Sequence, residues 1–167
     1  MAESIERGAQ AAAEEMECGP REFVVEKRRA ADATAADVLA CDGYVFCAPE
    51  NLASTSGEML EFFHRTYYQA FATESDGRGE GEETSRLAGR PYALAVAAGS
   101  DGTSAARQMA RICRGWRLRP VTEEDALIIQ NGEPQTAKAI QSPKAMPPDA
   151  ATRCEQLGGL VAATLLL

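Results

Sequence analysis

Along residues 1–16, Ile5, Ala9, Ala12 and Met16 recur near a 3.6-residue period while Glu3, Glu6, Glu14 and Glu15 fall between them, which predicts an amphipathic helix. "CGP" at 18–20 breaks it, and "REFVVEK" at 21–27 has the β-branched and aromatic character of a short strand. Residues 31–42 read as a loop with room for one helical turn. "GYVFCAP", 43–49, is a continuous apolar run closed by Pro49, the pattern of a parallel strand buried on both faces. From Ser56 and Gly57 onward, Met59, Leu60, Phe63, Tyr67 and Ala70 share one helical face. Residues 73–86, Gly-rich and mostly acidic, show no periodicity and predict a mobile surface loop.

The alternation then repeats. "RPYALAVAA", 90–98, is a second buried strand, and "GSDGTS", 99–104, passes into a helix with Met109, Ile112 and Trp116 inward. "RLRPV", 117–121, predicts a short third strand, and "DALIIQNG", 125–132, an apolar strand closed by Asn131-Gly132. Asp149 is placed to cap a last helix whose stripe is Ala151, Cys154, Leu157, Val161 and Leu165. Strands alternating with helices in this way predict an α/β fold with a mostly parallel sheet.

Composition narrows the function classes. The chain has 167 residues, the size of one domain with one core, and a formal net charge of -8. That charge repels a phosphate backbone, so nucleic acid is not the expected partner. Cys18, Cys41, Cys47, Cys113 and Cys154 contain no CxxC pair and read as reduced packing residues. The longest apolar run, "LVAATLLL", is too short to span a bilayer, and a cytoplasmic, non-membrane protein is expected.

In open parallel sheets, ligands bind beyond the carboxyl ends of the strands, where loops converge and helix N-termini present free N–H groups. Two segments run from strand through polar loop to helix, 48–57 and 98–104. Neither holds metal-ligand spacing, a nucleophile elbow or a Walker lysine. They offer backbone N–H groups, the Asn51 amide, the hydroxyls of Ser54, Thr55, Ser56, Ser100 and Thr103, and glycines that admit a flat ligand. Such a lining suits a neutral planar heterocycle such as an isoalloxazine ring, which would bring its own chemistry.

At these residues the chain resembles the flavodoxin-like superfamily, in particular the NADPH-dependent FMN reductase and flavodoxin-type NAD(P)H:quinone oxidoreductase group. "DVLACDGYVFCAPENLASTSGEMLEFFHRTYY" is similar to that group's third-strand segment, with a Pro-containing flavin loop and a "SG…FFDR" helix. "LAGRPYALAVAAGSDGTSAARQMARI" is similar to its fourth strand and second flavin loop. The resemblance implies a flavodoxin-like three-layer sandwich with a mostly parallel sheet. It also implies FMN as cofactor, NAD(P)H as electron donor and a small-molecule acceptor such as a quinone; a homo-oligomer is left open. Pro49, Glu50, Asn51, Ser54, Thr55, Ser56 and Gly57 would edge the ring, and Gly99, Ser100, Asp101, Gly102 and Thr103 would close its other side.

The family's pattern opens with a strand and a Ser/Thr-rich loop around the FMN phosphate, whereas "MAESIERGAQ" corresponds to its first helix. The expectation is a single domain over 1–167, shortened at its N-terminal side, with the first strand missing. Two other readings stand beside the oxidoreductase: a non-catalytic flavodoxin-like remnant or interaction module, and a truncated reading of a complete flavoenzyme. His64 replaces the aspartate of "FFDR" and reads as a surface or packing residue, as Cys47 reads as an inert thiol. Arg107, Arg111, Arg114, Arg117 and Arg119 read as a solvated face balancing nearby acids, against pairing with dinucleotide phosphates.

Overall fold

The sheet is built around β5 (Pro91–Ala98), buried along nearly its whole length. A computed structural model of the chain describes residues 1–19, 23–73, 83–124, 126–131, 136–138 and 145–167. On one side of β5, β1 (Tyr44–Asn51) pairs with it in parallel from Tyr44↔Tyr92 to Pro49↔Ala97. On the other, β6 (Arg119–Pro120) and β7 (Leu127–Gln130) pair in parallel with its first and second halves. The predicted third and fourth strands are thus two short pieces laid along the same edge. A two-residue strand, β2 (Ser54–Thr55), returns antiparallel on the end of β1.

Helices cover both faces. Residues of even number, Tyr44, Phe46 and Ala48 on β1 and Tyr92, Leu94, Val96 and Ala98 on β5, face α2 (Ala35–Ala40), α3 (Gly57–Thr66) and α4 (Thr103–Gly115). Odd-numbered Val45, Cys47, Ala93 and Ala95 face α1 (Ala2–Glu15) and α5 (Ala150–Leu166). This period-2 division makes the three-layer α/β sandwich expected from the sequence. An aromatic cluster fills the first layer, with Phe63 5.4 Å from Phe46 and 5.5 Å from Trp116, ring centre to ring centre. The second layer is closed by small residues: a Cβ on Gly8 or Gly158 would overlap the backbone of the facing helix.

Several expectations are corrected. Residues 23–28 join no ladder, and Val24 is 66% exposed, so the strand predicted over 21–27 does not form where described; residues 20–22 lie outside the described part. Without a partner strand, β-branched character alone does not make one. Pro49 does not end its strand, because β1 runs on to Asn51. A proline is tolerated there because the outer edge of β1 pairs with β2 only at Glu50 and Asn51. The predicted mobile loop begins and ends in structure: β3 (Phe71–Thr73) pairs with β4 (Glu83–Ser85), and 74–82 lie outside the described residues. On α1 the buried face is Ile5, Ala9 and Ala13, with Met16 exposed. Asp149 makes no side-chain cap bond and instead meets Arg153 at 3.5 Å.

Candidate functional site

Because β1 and β5 are adjacent and in register, the turns that follow them emerge side by side at the carboxyl crest of the sheet. Asn131 joins them there, its N–H donating to Ala98 O at 3.1 Å. Side chains tie the two turns together. Glu50 Oε2 accepts from Ser100 Oγ at 2.6 Å and from the Ser100 N–H at 3.3 Å. Gln108 on α4 holds the first turn, its Oε1 accepting from Ser54 Oγ at 2.8 Å and from the Thr55 N–H at 3.0 Å.

The first turn is a two-residue hairpin loop. Asn51 pairs with Ser54, and the residues between them, Leu52 and Ala53, both have positive φ, 51° and 57°. Such loops ordinarily place Asn-Gly or Gly-Gly there, because side chains are strained in the left-handed region. Leu52 at the tip is 102% exposed. Behind it the chain enters α3 through Ser56, whose Oγ accepts from the Met59 N–H at 3.4 Å. Thr55 between them is 2% exposed, and its Oγ1 is the buried side-chain polar atom left without a partner among the described residues.

The second turn is packed rather than open. Gly102 is buried at φ 71°, and a Cβ there would lie 2.8 Å from Ile128 Cγ2 and 2.9 Å from Ala98 Cβ. Its glycine is required by the close approach of β7 and β5, so it cannot serve as a surface for a ring. Asp101 Oδ1 accepts from the Thr103 N–H at 2.7 Å, closing the turn into α4.

The twelve predicted site residues therefore divide. Both turns do come together, and Asn51, Gly57, Gly99 and Pro49 lie at the surface, with open space where a Cβ on Gly57 would be. Glu50, Ser54, Ser56, Ser100, Asp101 and Gly102 are taken up in holding the turns, Thr55 is buried behind the hairpin tip, and Thr103 begins α4. Sequence reasoning missed Leu52, Ala53 and Gln108. No glycine marks the hairpin tip, and Gln108 is one polar position on the flank of an amphipathic helix.

The remaining chemistry is quiet. Burial pushes the Cys47 and Cys113 thiols up, so neither is poised as a thiolate. His64 is exposed on α3. Among the described residues no group of His, Cys, Asp and Glu is arranged to hold a metal ion, and no helix is long and apolar enough to cross a membrane.

Residues 49–58 and 98–104 contain three carboxylates, Glu50, Glu58 and Asp101, and no cation. With an exposed apolar tip, the exposed Asn51 beside it and no cation, these turns fit the neutral ring of a flavin and not its phosphate.

Comparison with known structures agrees with this architecture. A flavodoxin from the domain Archaea matches with a TM-score of 0.63 at 13% identity, over 98% of this chain and 87% of that one. Two-electron reduced Megasphaera elsdenii flavodoxin matches with a TM-score of 0.63 at 17% identity, over 97% and 88%. A flavodoxin, WrbA-like protein from Agrobacterium tumefaciens matches with a TM-score of 0.53 at 14% identity, over 97% and 88%. No protein-family model and no curated protein matches the chain in sequence. The chain has the flavodoxin-like fold.

Proposed function

We propose that this chain binds the isoalloxazine ring of FMN between the turns 49–57 and 99–103, and passes electrons from NAD(P)H to a quinone or another small acceptor. The observation that carries the reading is the joining of the two turns at the crest of β1 and β5 by Glu50–Ser100 and by Gln108. Structures of the same fold that are named as flavodoxins and as an NADPH-quinone reductase support it. A bound flavin supplies the hydride and electron chemistry.

The chain's own residues position and shield the ring. The backbone around Asn51 and Gly57 lets a flat edge approach, and the Leu52 side chain covers an apolar face against water. The two turns need no catalytic acid or base of their own for this chemistry.

Titration of FMN with the purified chain tests the reading. The expected result is quenching of flavin fluorescence with a Kd of about 1 μM or tighter, roughly −8 kcal/mol, followed by flavin-dependent NAD(P)H oxidation with a quinone. No binding by a chain that circular dichroism shows to be folded leaves the non-catalytic module as the reading.

A further inference from the structure

Elsewhere on the described surface several exposed cations face carboxylates, while Arg86 is exposed without such a partner among the described residues. Arg7 meets Glu155 at 2.8 Å, Lys27 meets Glu6 at 2.7 Å, Arg28 meets Glu26 at 3.0 Å and Arg29 meets Glu58 at 3.4 Å. Arg107, Arg111, Arg117 and Arg119 differ. All four are exposed, and among the described residues none of their side chains makes a hydrogen bond or ion pair. Acids are not scarce, since Asp and Glu number 25 against 17 Lys and Arg. The face is solvated, as expected from the sequence, and four of its five arginines make no direct pair with an acid among the described residues.

Three of the arginines share one face of α4. At about 100° per residue, Arg107, Arg111 and Arg114 fall within about 60° around α4, opposite the buried Ala105, Met109 and Cys113. They span about 10 Å along its axis. The helix then ends with the Leu118 N–H donating to Cys113 O at 3.1 Å and the Arg117 N–H donating to Arg114 O at 2.9 Å. That closure places the next residue in the left-handed region, where glycine is usual. Arg117 occupies it at φ 60°, and Arg119 follows in β6.

Simple structural roles cover part of the row. The helix dipole favours Arg114 and Arg117 at the C-terminal end, and a charged Arg119 discourages strand addition at the sheet edge. Neither accounts for Arg111, and the dipole works against Arg107 in the second turn.

We infer that the arginine face of α4 docks an acidic protein surface. All five positions hold arginine, whose planar, weakly hydrated fork takes carboxylates in pairs and recurs at interfaces. The spacing of Arg107 and Arg111, one helical turn apart, matches carboxylates four residues apart on a partner helix. Nucleic acid is the poorer match, because the net charge of -8 repels a long polyphosphate. A positive face on a negative molecule also orients an acidic partner before contact, an effect that salt suppresses.

The test titrates fluorescein-labelled poly-L-glutamate of about 20 residues with the full chain at about 20 and about 200 mM NaCl, beside a DNA duplex of similar length. Poly-L-glutamate is expected to bind at low salt and to weaken about tenfold or more at the higher salt. The variant Arg107→Gln/Arg111→Gln/Arg119→Gln is expected to lose about tenfold in affinity. Arg7→Gln/Arg28→Gln/Arg29→Gln, which removes the same charge from paired positions, should lose less than about threefold. Equal losses in both variants, tighter binding to the duplex, or no binding of poly-L-glutamate at low salt each overturn the inference. If circular dichroism shows the first variant to be unfolded, Arg111→Gln alone against Arg29→Gln alone keeps the same contrast, expected at about threefold.

Discussion

The two turns at the crest of the sheet look alike in sequence, each a run of Ser, Thr, Gly and acid between an apolar strand and a helix, yet the fold uses them differently. In the second, Gly102 adopts φ 71° because Ile128 and Ala98 leave no room for a side chain, and Asp101 closes the turn on Thr103. Packing dictates that conformation. In the first, Leu52 and Ala53 hold positive φ without glycine, at a cost of about 1–2 kcal/mol each, and the strained tip exposes its apolar side chain completely. The pairs of β1 with β2 and the two bonds to Gln108 offset that cost. Strain beneath an exposed apolar residue points to use of the surface; a packed glycine points to the fold.

The largest effect that tests this contrast belongs to the packed turn. Gly102→Ala adds both a clash and a strained φ and is expected to destabilise by about 2–4 kcal/mol in urea unfolding. A loss under about 1 kcal/mol would mean the second turn is free to move, and the contrast would fail. Next is Gln108→Ala, expected to cost about 1–2 kcal/mol and to speed exchange of the Thr55 amide, since it leaves the first turn held by two strand pairs and the Glu50–Ser100 contact. Unchanged Thr55 exchange would show that the hairpin holds itself.

Much of the architecture was legible from periodicity. The continuous apolar runs at 43–49 and 90–98 can be satisfied only by burial on both faces, and the stripes of α4 and α5 follow from the 3.6-residue period, whereas the buried faces of α1 and α3 agree with it only at Ile5, Ala9, Met59 and Phe63. What failed depended on partners that a local pattern does not reveal. "FVVEK" has strand character, but residues 23–28 meet no ladder, whereas the weakly patterned 71–73 and 83–85 find each other. At the site, the position of both turns was readable from the order of strand, loop and helix, but their division of labour was not. Gly102 and Gly57 read identically in sequence, and one is locked by packing from β7 while the other faces open space. Gln108 reaches the first turn only because α4 and β2 are neighbours in space.

A smaller effect separates strain from sequence preference. Ala53→Gly relieves the left-handed conformation at φ 57° and is expected to raise stability by about 0.5–1 kcal/mol, read as a higher urea midpoint with unchanged slope. If the midpoint falls instead, the entropy gained by a glycine in the unfolded chain outweighs the strain, and the first turn is less costly than its φ angles imply.

The smallest expected change in stability is at Leu52, and it is the most discriminating for the proposed function. Leu52→Asn removes an apolar side chain that touches nothing in the folded chain and puts in a residue tolerant of positive φ, so stability should shift by no more than about 0.5 kcal/mol. If that side chain covers a flavin ring, the apolar area it hides on binding is worth about 1–1.5 kcal/mol, and FMN affinity should fall roughly five- to tenfold. A variant unchanged in both respects would leave the first turn strained without a ligand to justify the strain. The difference between the turns would then be one of packing alone.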